Sequence, residues 1–122
     1  MKTYAKGAKA ERDLLHFLTF KGFSTLRLPA SGGDLYPLDI LALKKGFALA
    51  FEIKSWKKMP RIEKRKLERF DSWCKNAGAI GFIAWRPAGG DWRFLPLADA
   101  LNGRYEEPNW LGLSQLAEVF GF

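Results

Sequence analysis

The chain's 122 residues, 48% apolar and 27% charged, suit one globular domain: two cores would each be too small, and the composition is not that of a disordered chain. Twenty Lys and Arg against 13 Asp and Glu leave a net charge of +7 and a pI near 9.7, which favours polyanionic partners such as nucleic acid. Single Cys74 and His16 exclude an internal disulfide, Cys-based zinc sites, His-pair metal sites and most Ser-His-Asp schemes, while the lack of a membrane-length apolar run or signal core predicts a cytoplasmic protein with no membrane partner.

The first predicted element is a helix from about Ala5 to Lys21, with Leu14, Leu15, Phe17 and Leu18 on its apolar side and Gly22 as a stop. A strand follows from Phe23 to Leu28, and Pro29 to Pro37 reads as a loop rich in Gly and Pro. Two strands, Leu38–Lys44 and Phe47–Ser55, flank Lys45-Gly46 as a β-hairpin. Pro60 is suited to open a second helix running to Ala77. Strands are expected at Ala79–Arg86 and Trp92–Leu97, and a short helix at Ser114–Phe120; residues 98–113 carry no clear pattern. The order α-β-β-β-α-β-β-α predicts an α/β domain with a mixed central sheet flanked by helices.

The hairpin carries the sharpest chemical signal. A two-residue turn at Lys45-Gly46 pairs Lys44 with Phe47 and, counted back, sets Asp39 opposite Glu52. A bulge at the turn would shift that register by one. Along the second strand, Phe47, Leu49, Phe51 and Ile53 take one face, so Ala48, Ala50, Glu52 and Lys54 share the other. Two opposed carboxylates repel unless a divalent cation lies between them, and Mg²⁺ favours carboxylate oxygens plus water. An ordinary ion-pair cluster is the alternative for these three residues. Glu11 adds a carboxylate on the Leu14, Leu15 and Leu18 face of the first helix. It suits a metal or water ligand facing the sheet, and equally a helix-end residue capping an amide or pairing with Lys9 or Arg12. Together the four groups fit phosphodiester hydrolysis, in which Mg²⁺ activates water and Lys54 orients that water or stabilises developing charge.

These residues resemble the D…E-x-K core of the PD-(D/E)xK nuclease superfamily. A wider set of motifs is similar to the archaeal-type Holliday junction resolvases: Lys6-Gly7-Ala8, Ala10-Glu11-Arg12, Gly22-Phe23, Arg27, Pro29-Ala30-Ser31-Gly32, Asp39-Ile40-Leu41-Ala42, Glu52-Ile53-Lys54-Ser55 and Trp92-Arg93-Phe94. The resemblance spans roughly residues 4–97. It implies a restriction-endonuclease-like fold and a homodimer that places paired nicks across a four-way DNA junction with Mg²⁺, Mn²⁺ being expected to substitute. It further implies that Asp39, Glu52 and Glu11 handle metal, that Lys54 sits at the attacking water, and that Ser31 lies near the scissile phosphate. Arg12, Arg27 and Arg86 match positions used for DNA, and Phe70 and Trp73 fall on a helix that contributes to dimerisation. The residue before the aspartate departs from the family pattern, being Leu38 with Pro37 one position earlier; an altered loop rather than an altered ligand is expected.

Lys57 and Lys58 open the densest basic run, just after Lys54, and are read as DNA contacts rather than a merely solvated face. The tryptophans read as core or interface residues, Trp56 beside that run being the exception suited to stacking on a base. Phe70 and Trp73, three residues apart among charges, suggest an apolar strip for a second copy. Trp110, Leu111, Leu113, Leu116 and Phe120 either complete the core or extend that contact. Two other functions compete: a nuclease of the same superfamily acting on a different DNA in repair or restriction, and a DNA-binding protein without catalysis.

Overall fold

The computed structural model describes residues 2–28, 35–87 and 90–122, with side chains from residue 7 onward. Helix α1 (Lys2–Phe20) turns Ala10, Leu14 and Leu18 inward at intervals of four, the spacing that lines one side of a helix. Its end is closed by Gly22 at φ 95°: the Gly22 amide donates to the Thr19 carbonyl (3.0 Å) and the Phe23 amide to Leu18 (3.0 Å), while Phe23 and Leu18 pack in one cluster.

Six strands form one sheet in the order β1-β2-β3-β4-β5-β6. They are β1 (Ser24–Arg27), β2 (Ile40–Lys44), β3 (Phe47–Lys54), β4 (Ala79–Trp85), β5 (Arg93–Pro96) and β6 (Leu111–Gly112). All neighbours run antiparallel except β3 and β4, which are parallel and joined by α2 (Lys64–Ala77). The mixed sheet with flanking helices is the architecture expected from the sequence. The Lys45-Gly46 turn, with Gly46 at φ 84°, sets Lys44 against Phe47 as its length requires.

Alternation along the strands divides the core. On one face Leu14 and Leu18 of α1 meet Ile40, Ala42, Leu49, Phe51, Ile53, Phe82 and Phe94, and Leu116 of α4 (Leu113–Phe120) completes the layer. On the other, Leu67, Phe70 and Cys74 of α2 cover Leu38, Ala50, Ile83 and Leu95. Gly81 allows that close approach, since a Cβ there would stand 2.8 Å from Leu97 Cδ2 and 3.0 Å from Cys74 Sγ.

One expectation is corrected and one open region is filled. The second helix starts at Lys64, not Pro60: Pro60 is buried, and the Ile62 amide donates to the Tyr105 hydroxyl (3.2 Å), so the preceding residues are held by a distant contact in place of a helical turn. The region without a clear pattern forms α3 (Leu97–Leu101), a 3₁₀ turn (Glu107–Asn109) and β6. Trp110 is buried there against Trp85, with ring centroids 5.4 Å apart, and its indole donates to the Tyr105 carbonyl (3.0 Å).

Candidate active site

Asp39 lies one residue before β2, where the strands' apolar alternation ends. Its carbonyl accepts from the Leu28 amide (2.9 Å) and its own amide donates to the Phe51 carbonyl (2.8 Å). Because Phe51 already pairs with Ile40, the ladder stops there and Asp39 sits just beyond it rather than as a ladder partner of Glu52. The Asp39 carboxylate substitutes for the missing main-chain acceptor, taking the Ile53 amide at 2.7 Å. At 6% exposure it is a buried charge fixed by backbone on both sides.

Glu52 and Lys54 project from the α2 face of β3, beyond the small Ala48 and Ala50. The Lys54 ammonium stands 3.3 Å from Glu52 Oε2, whereas Glu52 Oε1 is buried with no hydrogen-bond partner. Burial first, and the neighbouring Asp39 charge second, push the Glu52 carboxyl from its ordinary 4.5 up to about 7, against the opposing pull of Lys54. An unsatisfied buried carboxylate oxygen is costly, and its usual explanation is a missing proton donor or cation. The donor set is two carboxylates and no sulfur or imidazole, which suits a hard ion that retains water.

Glu11 reaches the same cavity from α1, beside Pro37, Asp39, Glu52 and Lys54. Its partner is Arg27, whose Nε lies 2.7 Å from Oε1, not Lys9 or Arg12. Among the described residues no three acidic, cysteine or histidine side chains converge as one metal-binding group, so Glu11 stands apart from the Asp39–Glu52 pair. Ser31 falls outside the described residues.

The remaining expected contacts are dispersed. Arg12, Lys57 and Lys58 are exposed and do not line the cavity. Arg86 donates to Asp13 at 2.6 Å and lies over the Trp92 ring at 5.5 Å. Hydrogen bonds from Lys9 and then Arg86 hold the Asp13 carboxyl below its usual range. Phe70 is corrected: at 2% exposure it belongs to the core beneath α2, so it offers no surface to a second copy. Trp73, one turn on, is half-buried. Burial pushes the Cys74 thiol up to about 12, which leaves it inert.

Sequence reasoning missed the far wall. Ile62, Lys66 and Arg69 face Asp39 and Glu52 across the cavity. Their signal was present, since Lys66 and Arg69 are three apart and immediately precede the buried Leu67 and Phe70, which puts both cations at the margin of the buried stripe.

Comparison with known proteins places the chain among relatives of one family. The family model for archaeal Holliday junction resolvase matches residues 2–109, beyond the limit of the motif resemblance. Crossover junction endodeoxyribonuclease Hjc of Archaeoglobus fulgidus is 33% identical over 124 residues, covering 96% of this chain and 90% of that protein. The protein of the same name from Sulfolobus acidocaldarius is 35% identical over 100 residues, covering 78% and 68%. A solved structure of Archaeoglobus fulgidus Hjc, described as a Holliday junction resolvase from an archaeal hyperthermophile, matches with a TM-score of 0.73 at 26% identity, over 95% of this chain and 96% of that one. The restriction-endonuclease-like fold expected from the motifs is therefore the fold observed.

Proposed function

The chain belongs to the archaeal Holliday junction resolvase family, and from that premise we propose that it is a Mg²⁺-dependent endonuclease that resolves four-way DNA junctions by paired phosphodiester cleavage. The observation that carries the reading is the orphaned Glu52 Oε1 beside the buried Asp39 carboxylate, with Lys54 3.3 Å from the other Glu52 oxygen. A binding protein gains nothing from carboxylates set against an incoming phosphate. A hydrolase needs them to hold a cation.

Asp39 and Glu52 would hold Mg²⁺, or Mn²⁺ in its place, and the bound ion supplies charge neutralisation at the phosphate and a more acidic water. Glu52 must release its proton to act as a ligand, and Lys54 beside it favours that release. Lys54 is then placed to offset negative charge as it grows on the phosphate oxygens. Glu11, held by Arg27, would act through a water shared with the two carboxylates. Arg12, Arg27, Lys57, Lys58 and Arg86 would contribute phosphate contacts, in keeping with the net charge of +7.

Two symmetric nicks require two sites, which a two-fold homodimer provides. Support comes from the sheet face beside α2, where Leu26 (56% exposed) and Leu43 (41%) lie on neighbouring strands, on the same side as Leu41, which packs with half-buried Trp73 against the α2-side core. Light scattering on the intact chain at micromolar concentration should give twice the monomer mass. No helix among the described residues is long and apolar enough to cross a membrane.

The decisive assay is cleavage of a labelled immobile four-way junction and its matched duplex in Mg²⁺. Paired nicks confined to the junction support the proposal. Equal cutting of both keeps a nuclease of another substrate class, and binding without cutting in Mg²⁺ or Mn²⁺ leaves a DNA-binding protein.

A further inference from the structure

Trp56 stands beside Lys54 of the site and is 43% exposed, an unusual position for so large an apolar group. Its backbone is not loose. The buried Trp85, which pairs with Lys54 in the β3–β4 ladder, donates its indole N–H to the Trp56 carbonyl at 2.8 Å. Pro60 anchors the other end of the same segment in the core, and Met59 packs against it. Between these anchors Lys57 and Lys58 are exposed. The Lys54 ammonium lies over the Trp56 ring, 5.1 Å from its centroid, and so sits between that ring and Glu52.

An exposed aromatic held by a fixed backbone, with cations on both sides in sequence, is the arrangement proteins use to take up an unstacked base. The phosphates flanking such a base fall to the lysines, while the ring supplies a contact that every base can make. We infer that Trp56 is a nucleobase-stacking residue at the rim of this site, which reads whether the DNA offers a base free of its duplex stack. This rests on the proposed DNA-cleaving role, and it adds a source of substrate selection that the acidic cluster cannot provide. Fully paired duplex keeps both faces of each base covered, so it gains nothing from Trp56. A base at a branch point or bulge is available to stack on the ring.

The competing explanation is that Trp56 only shields the Lys54 stem, a packing role that would treat all substrates alike. Binding of four-way junction, bulged duplex and plain duplex, measured by fluorescence anisotropy in EDTA, separates the two for wild type, Trp56→Leu and Trp56→Phe. Trp56→Leu should weaken binding of junction and bulged duplex by about ten-fold and leave plain duplex nearly unchanged. The slope of log K against log salt should not move, since no phosphate contact is lost. Trp56→Phe should recover most of the affinity. By contrast, Lys57→Ala or Lys58→Ala should lower that slope by about 1 on every substrate. Equal weakening on all three DNAs, or no weakening on any, overturns the inference, and a thermal melt of each variant identifies a loss due to misfolding. Wild type that binds junction no better than plain duplex would instead count against the junction reading, while the bulged duplex still tests Trp56.

Discussion

The two faces of the sheet are built from the same strands and do different work. The buried core under α1 is built of aromatic and aliphatic groups, with Phe51 stacked on Phe82 and edge-on to Phe94, each at 5.8 Å. The face under α2 has small residues on β3, Ala48 and Ala50, and then Glu52 and Lys54 where a packed core would place Leu or Val. One face is satisfied; the other ends in an unsatisfied carboxylate oxygen. Stability and chemistry are thus separated by a single alternation of side chains along β3, one residue apart.

Substitutions on either side should break that comparison in opposite ways. Phe51→Ala should cost about 3–5 kcal/mol of stability, because Phe51 is fully buried between two rings. That is a large part of the roughly 5–15 kcal/mol available to a domain. Urea unfolding measures the loss, and the fraction still folded should cleave at the wild-type rate. Asp39→Asn should do the reverse, lowering cleavage by about 10²–10³-fold. An asparagine oxygen can still accept the Ile53 amide, and removing the charge relieves Glu52, so the unfolding midpoint should not fall.

Glu52→Gln tests the unsatisfied side directly. The folded-state carboxyl titrates near 7 against an ordinary 4.5, so between those values the folded protein binds the extra proton. Stability from this group is therefore fully present below 4.5 and is lost as pH rises through about 7. Without metal, wild type should weaken from pH 5 to 8 while the Gln variant stays nearly flat, gaining on the order of 1–2 kcal/mol over wild type at pH 8. Unfolding in EDTA at the two pH values gives the answer, and restoration of wild-type stability by Mg²⁺ at pH 8 would identify the cation as what Oε1 lacks.

How legible each face was follows from the range of the interactions that define it. The hairpin register and the shared face of Glu52 and Lys54 are local facts, set by a two-residue turn and a period of two. The start of α2 was not legible, because proline suits the first turn of a helix, while the contact that holds the Ile62 amide comes from Tyr105, 43 residues away. Phe70 and Trp73 posed a similar problem. Their spacing places both on neighbouring parts of the helix surface, and only the position of the sheet decides that Phe70 is inside. Arg27 beside Glu11 depends on β1 lying against α1, which no short window of sequence contains.

The smallest predicted effect joins the two kinds of information. Tyr105 belongs to the segment without a clear sequence pattern, yet its hydroxyl accepts from Ile62, which lines the cavity opposite Asp39, and its ring lies 4.7 Å from the Arg61 guanidinium. Tyr105→Phe keeps the ring and its packing and removes only the acceptor, leaving the Ile62 amide unpaired at a partly buried position. The expected cost is about 1 kcal/mol of stability. If the contact merely closes the fold, kcat/KM should be unchanged once corrected for the folded fraction. If it sets the far wall of the site, KM for the junction should rise while kcat holds, since Ile62 and Lys66 line the wall opposite Asp39 and Glu52 and would meet bound DNA away from the reacting phosphate. The α2 face would then depend for its binding surface on a residue 43 positions along the chain.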